Sequence, residues 1–259
     1  MCSGIPLRFP LQKTHGETDT MRMEQANENL QVLDDTTRIS LIITAKNESV
    51  TIRDIITTAK PYVDEILVVD GHSTDDTREV SERLGARVVL DNGKGKGDGV
   101  RVGIEKAIGE ILVFIDADGS HDPNDIPKLV KPILDGKYDM VIGSRMTGGS
   151  DELTGDIGRF IRNTGSHVLL LCINYRWNVR LTDNQNGFRA IKTDVARDLG
   201  LTEDIHTIEE EMVLKSLRKK YRIGEVPSHE YHRKHGKSTL NVWKVWPQFV
   251  WCILKHYFW

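Results

Sequence analysis

A chain of 259 residues is long enough for one sizeable domain or two small ones. With 39% apolar and 28% charged residues it can build an ordinary soluble core, which excludes wholesale disorder. A formal net charge of −3 argues against a general nucleic-acid binder, because affinity for a phosphate backbone needs clustered Lys and Arg.

Residues 1–37 show no periodicity and no sustained apolar run. They read as a flexible N-terminal extension without a secretory signal. Short apolar runs then alternate with amphipathic segments. Ile39–Ile43 predicts a buried strand, followed by a helix near Ser49 to Lys60. Glu65–Val69 predicts a second strand, with a helix from about Asp75 to Leu84, and Arg87–Leu90 a third. A Gly-rich loop, Asp91 to Gly99, leads into a helix ending near Ile108. Ile111–Ile115 and Met140–Ile142 follow as strands. Continuous apolar strands separated by helical stretches predict a largely parallel sheet covered on both faces. Beyond Gly143 the pattern predicts a helix near Arg159 to Ile173 and a strand at Gly187 to Ile191. A helix near Thr207 to Lys219 and a strand at Tyr221 to Val226 complete it. The organisation is one domain, an α/β half followed by an accessory half.

Cys2, Cys172 and Cys252 are far apart in sequence. They suggest neither a disulfide framework nor a metal-ligand spacing, which favours a reducing compartment. No stretch reaches the roughly 18–20 apolar residues needed to cross a bilayer, so the expected location is cytoplasmic, peripheral to a membrane at most.

In open parallel sheets, ligands bind at the carboxyl ends of the strands, where loops and helix N-termini converge. Three polar clusters fall there: Thr44-Ala45-Lys46-Asn47-Glu48, Asp70-Gly71-His72-Ser73-Thr74-Asp75, and Asp116-Ala117-Asp118. The last is the sharpest. Two carboxylates so close repel each other unless something positive lies between them. Mg²⁺ or Mn²⁺ suits the position, as a hard cation that accepts one or two carboxylates and completes its shell with water and phosphates. The alternative is that Asp116 only ends the strand and Asp118 only caps the helix entered at Pro123.

The order Asn47-Glu48, Asp70-Gly71-His72-Ser73-Thr74-Asp75 and Asp116-Ala117-Asp118 resembles the family-2 glycosyltransferases. Asp116-Ala117-Asp118-Gly119-Ser120-His121-Asp122-Pro123, Gly143-Ser144-Arg145, Asn186-Gly187-Phe188-Arg189-Ala190 and Arg233-Lys234-His235-Gly236-Lys237-Ser238 resemble the dolichol- and polyprenyl-phosphate sugar transferases, over about Ile39 to Leu240. The resemblance implies a GT-A fold, Rossmann-like, with helices on both faces of a mainly parallel sheet and a C-terminal accessory α/β segment. It implies residues 38–240 as the transferase domain, with 241–259 an aromatic amphipathic helix.

It also implies roles. Thr44, Asn47, Glu48, Asp70, Lys96, Asp116, Ala117, Asp118, Arg189 and Lys237 fall where such enzymes hold a GDP- or UDP-linked sugar donor. Asp116 and Asp118 match the metal positions; Asp118, Arg145 and Arg233 match the reacting centre. Three departures stand out. Thr44 replaces a usual Pro, Lys46 a common Tyr or Phe, and Ser120 a Gln found in some members, with Asp122 the candidate to compensate for it.

A phosphate monoester acceptor is mostly ionised near neutral pH, with a second pKa of about 6, and attacks without a general base. It needs cations that place it in line, and Arg145, Arg162, Arg189, Arg233 and Lys237 are available. The expected reaction is therefore inverting transfer to a lipid phosphate, without a covalent intermediate. An acceptor hydroxyl on a soluble saccharide, peptide or small molecule would instead require a base. Glu209-Glu210-Glu211 is the candidate, although the run reads first as acids complementing a helix N-terminus. His229, His232 and His235 read as solvent-facing or near phosphate rather than as a zinc site. The loop Gly93-Lys94-Gly95-Lys96-Gly97 reads equally as a phosphate cradle or a mobile surface loop. Trp243, Trp246, Phe249, Trp251, Tyr257, Phe258 and Trp259, with Lys244 and Lys255 between them, suit a membrane interface or a packed terminal helix. A nucleotidyltransferase and a non-catalytic nucleotide-sugar protein are the remaining competitors.

Overall fold

The computed structural model describes residues 37–151, 157–233 and 242–258. Seven strands form one sheet: β1 (Ile39–Ala45), β2 (Glu65–Asp70), β3 (Arg87–Leu90), β4 (Ile111–Asp116), β5 (Met140–Ser144), β6 (Arg189–Lys192) and β7 (Ile223–Pro227), in the order β3-β2-β1-β4-β6-β5-β7. The helices are α1 (Ile52–Ala59), α2 (Thr77–Arg83), α3 (Lys96–Lys106), α4 (Ile126–Leu134), α5 (Arg145–Gly148), α6 (Ile157–Trp177), α7 (Thr193–Asp198), α8 (Ile208–Arg218) and α9 (Val242–Phe258).

Alternate residues of a strand face opposite sides, so a run that is apolar throughout must be covered twice. Leu41 and Ile43 of β1 pack with Ile52, Ile55 and Ile56 of α1 and with Ile126 and Leu129 of α4. Ile42, between them, packs on the other face with Val100 and Ile104 of α3 and Met212 and Val213 of α8. Each of these fully buried aliphatic side chains contributes about 1.5–3 kcal/mol, which fixes the register of the central strands and so the position of their polar ends.

The expected parallel sheet holds for six strands. β6 runs against both β4 and β5, and it begins at Arg189, two residues later than the apolar run suggested. Gly187 and Phe188 instead belong to the turn that carries the chain past the end of β4. The expected N-terminal extension, except for its last residue Thr37, lies outside the described residues, as does Lys237.

Candidate active site

Ala45, Asp70 and Asp116 are the final residues of β1, β2 and β4, and the strand register sets Ala45 beside Asp70 and Thr44 beside Asp116. The polar clusters therefore meet on one rim. Asn47 takes a left-handed backbone (φ 58), which Asn tolerates better than most residues. Its amide donates to Ser73 Oγ at 2.9 Å, and its Oδ1 accepts from the Thr74 amide at 2.8 Å. The β1 and β2 loops are thus tied together. Asp70 is fully buried; its Oδ2 accepts from the Ser73 amide at 3.0 Å and lies 3.6 Å from Arg78 Nε.

The two aspartates of the acidic triplet are separated by buried Ala117, whose carbonyl accepts from Thr51 Oγ1 at 2.6 Å. Each has its own cation. Lys96 Nζ lies 2.8 Å from Asp116 Oδ1 and 2.7 Å from Glu209 Oε1. Arg233 Nη2 lies 2.8 Å from Asp118 Oδ2, and its Nη1 is 3.8 Å from Glu48. Burial opposes the lysine charge, but Asp116 and Glu209 more than reverse this and hold Lys96 above the usual lysine range. Burial likewise opposes ionisation of Asp116; Lys96 overcomes it and leaves the carboxyl below its ordinary value. Burial dominates at Glu48 and raises it despite Arg233.

Gly187 makes the first pair possible, because a Cβ there would stand 2.9 Å from Asp116 Oδ2 and 3.0 Å from Lys96 Nζ. The loop before α3 is equally constrained: a Cβ on Gly97 would lie 2.4 Å from the Glu203 carbonyl oxygen. Residues 92–95 are exposed, but Gly95 and Gly97 pack closely against residues 203–205, and this end of the loop delivers Lys96 to the rim.

Other expected residues are engaged elsewhere. Arg145, the first residue after β5, forms a two-point pair with Asp183 (Nε–Oδ2 2.6 Å, Nη2–Oδ1 3.0 Å) and lies 3.3 Å from Glu230. Asp183 is in turn fixed by its own amide donating to Glu225 at 2.8 Å. Arg189, expected among the donor contacts, lies near Asp116 and Glu209 with its guanidinium engaged by the backbone. Its side chain is buried, and it donates to the carbonyls of Asn186 (3.0 Å), Asn184 (3.2 Å) and Glu209 (2.9 Å). It braces the turn before β6 against the first turn of α8. Asp122 caps its own turn, its Oδ1 accepting from the Asn124 amide at 3.0 Å. His229 pairs with Asp151 at 3.0 Å, while His235 lies outside the described residues. Arg162 lies within α6.

Sequence reasoning missed buried His121 and half-buried His206 beside the rim. His121 stacks on Phe188 with ring centroids 5.2 Å apart, and His206 lies close to Glu209, Lys96 and Asp116. Burial lowers both below the usual histidine range. The Asp-Gly-Ser-His run carried a signal for His121; nothing local marked His206.

All three acids of Glu209-Glu210-Glu211 occupy the first turn of α8 as the dipole argument expects, but they are buried rather than solvated. Glu210 accepts from Asn184 Nδ2 at 3.0 Å and has no cation partner among the described residues. Burial pushes it up to about 8 from an ordinary 4.5. The native state therefore keeps a proton that the unfolded chain releases near 4.5. Stability from this group is complete below that pH and is lost as pH rises through about 8. Glu210→Gln is expected to flatten the fall in urea midpoint between pH 4.5 and 8. An unchanged slope would contradict the assignment.

The rim fits a divalent cation. Carboxylates of Glu48, Asp70, Asp116, Asp118 and Glu209 outnumber the cations Arg78, Lys96 and Arg233 that meet them. Asp70 Oδ1, His121 Nδ1, His206 Nδ1 and Glu209 Oε2 are buried without a hydrogen-bond partner among the described residues. Buried polar atoms are nearly always satisfied, so such a concentration marks a place built to receive a polar ligand. Beside it is a small hollow, open to solvent, where Thr44, Lys96, Asp116, Arg189 and Glu209 meet an apolar wall that includes Phe114 and Met212.

Residues 40–200 match the family described as "Glycosyl transferase family 2". Glycosyltransferase AglJ of Haloferax volcanii is 33% identical over 206 residues, 78% of this chain and 65% of that protein. The chain thus spans slightly less than two thirds of that relative's length. The UDP-N-acetylglucosamine–dolichyl-phosphate N-acetylglucosaminyltransferase of Methanococcus voltae is 27% identical over 237 residues, 80% of this chain and 92% of its own. Among solved structures, glucosyl-3-phosphoglycerate synthase from Mycobacterium tuberculosis, bound to Mn²⁺, UDP and glucosyl-3-phosphoglycerate, shares the fold. Its TM-score is 0.68 at 23% identity, covering 96% of this chain and 86% of that one.

Proposed function

This chain belongs to glycosyltransferase family 2, and we propose that it moves a sugar from a nucleoside-diphosphate donor to a phosphate-bearing acceptor, a lipid phosphate in the first instance. The observation that carries the reading is the acidic rim. A diphosphate cannot approach that excess of carboxylates unless a divalent cation comes with it. Asp116 and Asp118 would hold Mg²⁺ or Mn²⁺, which when bound neutralises charge on the leaving nucleotide.

The protein's own groups do the rest. Lys96 and Arg233 already neutralise the two aspartates and are placed to turn toward phosphate oxygens. Asp70, with one carboxylate oxygen unsatisfied, and Asn47 and Glu48 beside it are the proposed contacts to base and ribose. Arg145 acts as a positioning residue: through Asp183 and Glu230 it ties the end of β5 to the segment that leads to Arg233. The Tyr231 amide, donating to the Ser120 carbonyl at 2.8 Å, ties that segment to the acidic triplet as well. Arg233 and Lys237 would receive the acceptor phosphate.

The Methanococcus voltae relative, named for a dolichyl-phosphate acceptor, supports a lipid phosphate here. On α9, Trp251 and Leu254 face outward while Cys252, Ile253 and His256 face inward, which supports contact with a membrane surface. No described helix is long and apolar enough to cross a membrane. A second reading, transfer to a hydroxyl, draws on Glu209. It lines the hollow next to Asp116 with one oxygen unsatisfied and is a candidate base once Lys96 moves away.

Radiolabelled nucleotide sugars, assayed with polyprenyl phosphate, with soluble saccharides and with Mn²⁺ or chelator, test both readings. Label entering the lipid phase only with the phosphate lipid and the metal supports the proposal. Label entering soluble saccharide, with loss in Glu209→Gln, favours the second. No transfer from any donor overturns both.

A further inference from the structure

We propose that Cys252, His256 and Glu203 form a second metal site, for one zinc-type ion, which pins α9 to the segment before α8. The inference stands apart from the rim and does not depend on the proposed reaction. One ligand atom from each of these residues lies within 4.8 Å of the other two. Cys252 and His256 are four apart and so share one face of α9. Glu203 comes from a different element, the segment between α7 and α8, so the cluster is a tertiary arrangement rather than a helical coincidence.

Burial and unsatisfied valence point the same way. The Cys252 side chain is fully buried and His256 is 4% exposed. His256 Nε2 has no hydrogen-bond partner among the described residues. The nearest acidic oxygen to it is Glu211 Oε1, at 3.6 Å, the candidate for a fourth ligand. Among the described residues the thiol makes one long contact, donating to the Thr207 carbonyl at 3.8 Å. Thiolate, imidazole and carboxylate are the donors zinc takes in four-coordinate sites, at about 2.0–2.3 Å. Binding requires only a modest contraction of the cluster. The thiol proton leaves to solvent as the sulfur–metal bond forms.

The surrounding contacts suit a ligand set. Glu203 is already oriented by Lys255 at 3.0 Å and Thr207 Oγ1 at 2.7 Å. Its backbone carbonyl accepts from Arg101, and Gly97 packs against the same carbonyl. An ion here would therefore fasten α9 and, through residues 203–205, steady the loop that holds Lys96.

Cobalt(II) reports thiolate coordination by a sulfur-to-metal charge-transfer band, which all-oxygen sites such as Asp116 and Asp118 do not give. Titrating the full chain with Co²⁺ in excess Mg²⁺ is expected to raise that band to one equivalent, with bleaching by Zn²⁺. The band is expected to vanish in Cys252→Ser, to weaken in His256→Ala, and to persist in Cys172→Ser and Asp118→Ala. Folded wild-type protein without the band would overturn the proposal even if Cys252→Ser fails to fold. So would a band that survives Cys252→Ser, or one that disappears in Cys172→Ser.

Discussion

Replacing Asp118 by Ala is expected to lower turnover with a productive nucleotide-sugar donor by roughly 10²–10³-fold or more, in the range seen when one preorganised electrostatic group is removed from a reacting centre. The substitution removes the carboxylate that would hold the ion against the leaving diphosphate. It also leaves Arg233, 2.8 Å away, without its principal partner. The fold has little reason to suffer. Among the described residues, and apart from the pair with Arg233, Asp118 makes one hydrogen bond, accepting from the Ser120 amide at 3.0 Å. Asp118→Asn keeps an acceptor for that amide and removes only the charge, so it is expected to lose nearly as much. Initial rates at saturating Mn²⁺, alongside unchanged circular dichroism, make the comparison. Near-wild-type turnover in either variant would contradict the assignment.

Arg145→Met is expected to destabilise the protein by about 3–5 kcal/mol, the cost typical of breaking a buried ion pair from one side. Asp183 is almost wholly buried, and burial opposes its charge. Arg145 outweighs that and holds the carboxyl below its ordinary value. Without the guanidinium, the ring of contacts from Glu225 through Asp183 to Glu230 keeps its acids and loses its cation. Asp183→Asn in the same chain should recover part of the loss, because the stranded charge is then gone. Urea unfolding of the single and double variants measures both. An unchanged midpoint with a large fall in turnover would put Arg145 at the reacting centre itself and not behind it.

The two halves of the molecule were unequally legible in the sequence. The central strands announce themselves because both sheet faces are covered, so Ile39–Ile43, Glu65–Val69 and Ile111–Ile115 are nearly continuous apolar runs, the last two followed directly by Asp70 and Asp116. That the three polar clusters share one rim follows from parallel register alone. β6 was harder: its apolar run looks like any other, and direction is not written in composition. The resemblance set Arg189 among the donor contacts, and nothing local in the sequence told that its guanidinium is buried. Here three backbone carbonyls replace water around it, a solution that only the folded turn before β6 supplies. Pairing of Lys96 with Asp116 and Glu209 spans segments distant in sequence, and no local pattern reports it. The acids of α8 illustrate the limit well. Helix-dipole reasoning located them correctly at a helix start, yet could not tell that the start is buried under the turn at Asn184.

Calorimetric titration of a nucleoside diphosphate, UDP or GDP, into the full chain tests the central claim most directly. With Mn²⁺ present, wild-type protein is expected to bind at least about tenfold more tightly than in chelator, a difference of about 1.4 kcal/mol or more. Asp118→Asn is expected to lose that gain. Equal affinity with Mn²⁺ and with chelator, or a manganese gain retained by Asp118→Asn, would contradict a metal-bridged diphosphate at the rim.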